Sequence, residues 1–102
     1  MTGTRRTSDG LDHRRKRLLF RSWHRGIREM DLVLGQFADA HIDAMSDDEL
    51  GLYEALLEVP DPEVFKWITR TIAVPANYDT PVLKRIRDFH VAIDEHVPGR
   101  AR

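Results

Sequence analysis

The chain's 102 residues include five histidines and seventeen acidic residues but no cysteine, which narrows the chemistry it can perform. Without cysteine there is no disulfide, no thiolate nucleophile and no cysteine-ligated zinc. His13, His24, His41, His90 and His96 show neither the H-x-x-x-H nor the H-x-x-E-H spacing that sets two imidazoles on one helical face, so no metal site is expected. His24 and Glu29 are near enough to suggest an acid–base pair, but nothing in the sequence supplies a substrate pocket or a third group to orient them. No catalytic residue is therefore assigned. There is also no G-x-G-x-x-G and no P-loop, so a dinucleotide site of its own would have to be of an unrecognised kind.

Binding is the better use of these residues. In Trp23-His24-Arg25-Gly26-Ile27-Arg28-Glu29-Met30-Asp31 a glycine separates two helical patterns. Ile27, Met30, Leu34 and Phe37 recur at i, i+3, i+7 and i+10, the stripe of an amphipathic helix. At about 100° per residue, Arg25 and Glu29 fall well round from that stripe, on a solvent-facing side next to Gly26. A small residue flanked by an exposed Arg and Glu lets another surface approach the backbone, so the stretch reads as a contact site. Trp23 and His24 lie beside it, where amphipathic rings can also meet a partner. The plain alternative is a helix junction with a solvated Arg25–Glu29 pair worth a few tenths of a kcal/mol.

Helices must position this stretch. Ser8 or Asp9 is expected to cap a first helix from Leu11 to about Trp23, with Asp12 near its positive end. A second helix opens at Gly26 and runs to about Ala40. Gly35 inside it costs about 1 kcal/mol relative to Ala, and close packing is the commoner reason for such a glycine. Ser46-Asp47-Asp48-Glu49 is a capping box, starting a third helix that buries Leu50, Tyr53, Leu56 and Leu57 and ends at Pro60. Asp61 as N-cap and Pro62 as first helical residue start a fourth, with Val64, Phe65, Ile68 and Ile72 as its apolar face and Trp67 at its edge. Residues 74–79 form a loop. Thr80-Pro81 opens a fifth helix whose stripe is Val82, Ile86, Phe89 and Ile93, closed by Pro98-Gly99. No alternating run suggests a strand. The expected fold is all-α, a small bundle of about five helices joined by short loops, with the domain over residues 11–96, a disordered basic tail over 1–10 and a C-terminal tail over 97–102.

Charge is divided sharply along the chain. Residues 1–29 hold nine Lys or Arg against three acids, while residues 30–65 hold ten acids and no Lys or Arg. Such polarity suits either an oriented encounter with a charged partner or a chain that folds upon itself. The run Arg14-Arg15-Lys16-Arg17 with Arg21, near Phe20 and Trp23, imitates the footprint of a small helical DNA-binding or regulatory domain. Against that class stand the acidic middle and the near absence of Asn and Gln for reading adenine. No apolar run approaches the roughly 20 residues of a membrane span, and no secretory h-region follows the start. Residues 1–17 contain Arg and Thr in the manner of a mitochondrial presequence, but Asp9 and Asp12 interrupt them. The expectation is a cytoplasmic bacterial protein.

Three blocks resemble one family. Arg25-Gly26-Ile27-Arg28-Glu29 is similar to the RGxxE motif of the SdhE-like FAD assembly (flavinylation) factors of succinate dehydrogenase. Ser46-Asp47-Asp48-Glu49 resembles the start of their third helix. Leu56-Leu57-Glu58-Val59-Pro60-Asp61-Pro62-Glu63-Val64-Phe65-Lys66-Trp67-Ile68 resembles their L-L-E-x-x-D-P-x-x-F-x-W-[IL] run, with Pro60 where the family is often acidic. The blocks keep their order over roughly residues 14 to 90.

The resemblance implies a monomeric helical chaperone that binds the flavoprotein subunit of succinate dehydrogenase, with the fumarate reductase flavoprotein as a further client. FAD would become attached to the client, by attack of a client histidine, and not to the factor. It implies a partner-binding site in which Gly26 permits close approach, Arg25 and Glu29 make charge-assisted contacts, and Arg28 and Asp31 form a second ring, with Trp23 and His24 alongside.

Overall fold

The computed structural model describes residues 10–95, with side chains as far as residue 91. Five α-helices follow one another: α1 (His13–Trp23), α2 (Arg28–His41), α3 (Asp47–Leu57), α4 (Asp61–Ile68) and α5 (Pro81–Glu95). Short 3-10 turns lie at Ile42–Ala44 and Ala76–Tyr78, and no strand occurs among the described residues. The expected all-α bundle is the observed one.

Capping explains most helix starts. Ser46 Oγ accepts from Glu49 N–H at 3.1 Å while Glu49 Oε1 accepts from Ser46 N–H at 2.8 Å, the reciprocal capping box expected from the sequence. Thr80 Oγ1 accepts from Leu83 N–H at 3.3 Å, as expected for the start of α5. The first helix differs from expectation. Asp12 is its N-cap, accepting from Arg15 N–H at 2.9 Å, so the helix begins at His13 and not at Leu11. Leu11 is buried ahead of the cap and belongs to the lead-in. Ser8 and Asp9 lie outside the described residues, as do the expected tails at 1–10 (all but Gly10) and 97–102 and the Pro98-Gly99 stop.

α4 is shorter than its apolar pattern suggested. It ends at Ile68, after which Arg70 N–H donates to Trp67 O at 3.2 Å and Thr71 N–H to Lys66 O at 2.8 Å. These two bonds are a Schellman closure, and Arg70 sits in it at φ 63°. Ile72 therefore falls beyond the helix and is exposed, while Trp67, expected at the edge, is buried and stacks on Tyr78.

Phe37 of α2 is fully buried and meets Tyr53 of α3 and Phe89 of α5, each with ring centroids 5.8 Å apart. Removing such a ring costs about 3–5 kcal/mol through lost transfer energy and the cavity left behind. The core also contains one polar joint. Ser22 Oγ donates to Leu18 O at 2.8 Å within α1 and lies 2.5 Å from the Tyr53 hydroxyl of α3. Burial pushes the Tyr53 phenol well above its ordinary value.

The divided charge folds upon itself. Arg14 grips Glu54 of α3 through two bonds of 2.9 and 2.8 Å, and Arg21 reaches Glu58 at 2.7 Å. Arg15 donates to the carbonyls of Ile42 (2.9 Å) and Met45, serving the chain just after α2. The basic helix is thus laid against the acidic segment.

Candidate functional site

Between α1 and α2 the chain turns through His24, Arg25, Gly26 and Ile27. The expected helix start at Gly26 is displaced to Arg28, with Ile27 extended at the N-cap position and offering no side-chain cap. Two carboxylates from elsewhere take over the backbone donors of the turn. Asp31 Oδ1 accepts from Arg25 N–H at 2.5 Å, and Asp61 Oδ2 accepts from Gly26 N–H at 2.6 Å.

Asp61 does more than hold one amide. Its Oδ1 accepts from Arg25 Nε at 3.0 Å and from Arg25 Nη2 at 2.8 Å, while the same Nη2 donates to Leu57 O at 3.0 Å. The side chains of Arg25 and Asp61 are only 11% and 8% exposed. This corrects two expectations. Asp61 is not the N-cap of α4: that position is Pro60, and the Asp61 carboxylate is drawn away to the α1–α2 turn. Arg25 does not lie on the solvent-facing side, because its guanidinium is turned inward between α3 and α4. Losing one partner of so buried a pair strands the other, at a cost of about 3–5 kcal/mol.

The remaining site residues divide between surface and support. Gly26, Arg28, Glu29 and His24 are exposed. Asp31 is half-buried and committed to the Arg25 amide, so it supports the turn from within. Trp23 is buried and packs beneath the turn, its Nε1 donating to Asp39 Oδ1 at 3.2 Å. His24 stacks on Phe20, ring centroids 3.9 Å apart, and its Nδ1 lies 2.7 Å from Phe20 O. In a neutral imidazole that contact makes Nδ1 the donor and leaves Nε2 as acceptor. Phe20 is 62% exposed, so the stack adds an apolar ring to the surface close in sequence to Gly26.

Gly26 is not held by backbone strain, since it does not adopt a left-handed φ. A Cβ built there would meet Asp61 Oδ2 at 3.4 Å, an ordinary contact. Neither the dihedral nor internal crowding demands glycine at this position. Reading by local pattern missed Asp61, whose carboxylate sits 35 residues beyond Gly26 and bears an obvious capping explanation of its own. In the sequence Phe20 stands out only as part of a basic, aromatic run. Among the described residues no group of three or more His, Asp or Glu is placed to hold a metal ion.

The known proteins that this chain is similar to agree with the family resemblance. Residues 16–90 match the family described as the flavinator of succinate dehydrogenase. A FAD assembly factor SdhE from Acetobacter pasteurianus is 42% identical over 78 residues, 76% of this chain and 72% of that protein. A mitochondrial succinate dehydrogenase assembly factor 2 from Dictyostelium discoideum is 40% identical over 77 residues, 76% of this chain and 55% of that one. Its counterpart in Saccharomyces cerevisiae is 35% identical over 89 residues, 83% of this chain and 55% of that one. The chain thus spans little more than half the length of these mitochondrial relatives. With the family match running from within the basic helix into α5 and enclosing the whole α1–α2 turn, the chain belongs to the family of succinate dehydrogenase flavinators, the FAD assembly factors.

Proposed function

We propose that this protein binds the flavoprotein subunit of succinate dehydrogenase and promotes covalent attachment of FAD to a histidine of that client, with the fumarate reductase flavoprotein as a second client. The observation that carries the reading is Gly26: an exposed glycine whose N–H is held by Asp61, next to an Arg25 N–H held by Asp31, in a turn that gives no internal reason for a glycine. A bare, immobilised backbone suits close approach by another protein, and the exposed Arg28 and Glu29 offer charge-assisted contacts at its edge. The Phe20–His24 stack adds an exposed amphipathic ring pair close in sequence to the turn.

The protein acts without catalytic groups of its own. FAD is carried by the client, whose histidine attacks the flavin, and the factor favours the client conformer in which that attack is productive. Tighter binding to that conformer is sufficient to shift its population. The factor works as a monomer. No helix among the described residues is long and apolar enough to cross a membrane. The nucleic-acid alternative is weakened because Arg14, Arg15 and Arg21 are engaged by acids and carbonyls of the same chain.

In-gel fluorescence of the denatured flavoprotein subunit reports covalent flavin directly. Fluorescence should rise with the wild-type factor, fall with Glu29→Ala and vanish with Gly26→Arg, which puts a long charged side chain where the backbone is now bare. A signal indifferent to the factor, with folded components, would exclude this client.

A further inference from the structure

We infer that Arg25 and Asp61 are positioning residues, which act on the client through the turn they hold and not by touching it. The inference rests on the assembly-factor reading above. Its ground is the division of labour at the Asp61 carboxylate. One oxygen takes the Arg25 fork, and the other takes the Gly26 amide at 2.6 Å, so a single side chain ties the turn to the start of α4. Arg25 spends its remaining reach on Leu57 O at the end of α3. Its side chain is 11% exposed, and three of its donor contacts are satisfied within the chain. Glu29 and Arg28, by contrast, are exposed on the first turn of α2, beyond the latched residues.

An arginine contacting the client would have to leave Asp61 in a buried position with its charge unmatched, and that cost opposes binding. A latched arginine avoids it. The Arg25 side chain and the Asp61 carboxylate together set where the Gly26 backbone and the first turn of α2 are presented. The same surface with the latch opened would have to be ordered during binding, which lowers affinity.

Asp61→Asn opens the latch whichever way its amide turns. With its oxygen toward Arg25, the amide NH2 faces the Gly26 N–H; with its oxygen toward Gly26, the NH2 faces the guanidinium. Arg25→Gln removes the other partner. The test compares Asp61→Asn, Arg25→Gln and the double variant in affinity for the flavoprotein subunit, alongside the Gly26 amide resonance and the melting temperature. Ile86→Val, which trims the buried core on α5, serves as a control for lost stability alone.

Positioning predicts that each single variant weakens the client by tenfold or more, and that the double variant is no worse than the poorer single. The Gly26 amide should move and lose exchange protection in all three, while Ile86→Val changes neither readout at a temperature where it stays folded. Arg25→Lys, which keeps the charge but not the fork, replaces any variant that fails to fold, and its affinity should track its Gly26 shift. Wild-type affinity in folded Asp61→Asn would overturn the inference, as would losses that multiply in the double variant, because both mark Arg25 as a direct contact. Equal weakening by Ile86→Val at a matched fall in melting temperature would also overturn it. If the wild-type factor does not bind the flavoprotein at all, the assembly-factor reading fails, while a Gly26 amide unchanged in Asp61→Asn sinks the latch by itself.

Discussion

The indole of Trp23 lies so close over Gly35 that a Cβ built on the glycine would come within 2.3 to 2.6 Å of three ring atoms. This contact seats the end of α1 on the middle of α2 and places the α1–α2 turn above it. Two effects of Gly35→Ala oppose each other. Helix propensity alone would stabilise the variant by about 1 kcal/mol. Overpacking against an indole that also bonds Asp39 costs about 1–3 kcal/mol and displaces the ring. The expected outcome is a lower melting temperature with altered tryptophan fluorescence. A raised melting temperature would show that the ring yields freely.

Arg70 offers a change of opposite sign. It is exposed and adopts φ 63° at the position after α4 where glycine carries no Cβ penalty. Arg70→Gly should stabilise the fold by about 0.5–1 kcal/mol, after subtracting the greater freedom of glycine in the unfolded chain. For a domain of this size that is a rise of several degrees, about 4–8 °C per kcal/mol, by thermal unfolding.

Tyr53 makes the stability pH-dependent at the alkaline end. The folded state holds its proton well above the ordinary phenol value because burial disfavours the phenolate. The unfolded chain releases that proton above about pH 10, so the contribution is full below that pH and is lost as pH rises further. The wild type should lose stability through this group at up to about 1.4 kcal/mol per pH unit above pH 10. Tyr53→Phe should flatten that limb while costing about 1–2 kcal/mol at neutral pH through the lost Ser22 bond. Chemical denaturation of both proteins across this range compares the slopes.

Glu54 reports the pairing of the basic helix with α3. The Arg14 side-chain bonds are the main cause holding its carboxyl below the ordinary carboxylate value. Because the folded value is the lower one, the pair stabilises above the ordinary range and is lost as pH falls through the folded value. In Arg14→Ala the Glu54 titration, followed by carboxyl NMR, should move upward. An unchanged midpoint would mean that Arg14 is available to outside anions, as the nucleic-acid alternative requires.

Several features of this protein were legible in the chain alone because they depend on neighbours within one helical turn. The capping box at Ser46 and Glu49, the Thr80 cap, and the buried stripe Leu50, Tyr53, Leu56 and Leu57 all appear as read. So does the family resemblance that the three blocks carry. Where two local readings competed, the pattern did not decide. Asp12 displaced Ser8 and Asp9 as the cap, and the left-handed Arg70 cut α4 short before Ile72.

What the tertiary structure decided is which side chains meet across helices. Asp61 looked complete as a cap, yet its carboxylate serves Arg25 and Gly26, 36 and 35 residues away. Trp23 reads as a contact in the sequence and is buried instead, because Gly35 of the next helix leaves room for its ring. The sequence determined the helices and the caps of α3 and α5 through interactions of short range. The rotation and approach of those helices determined the roles of Arg25, Asp61 and Trp23, because a buried charge or ring is satisfied by whatever the packing brings within about 3 to 4 Å.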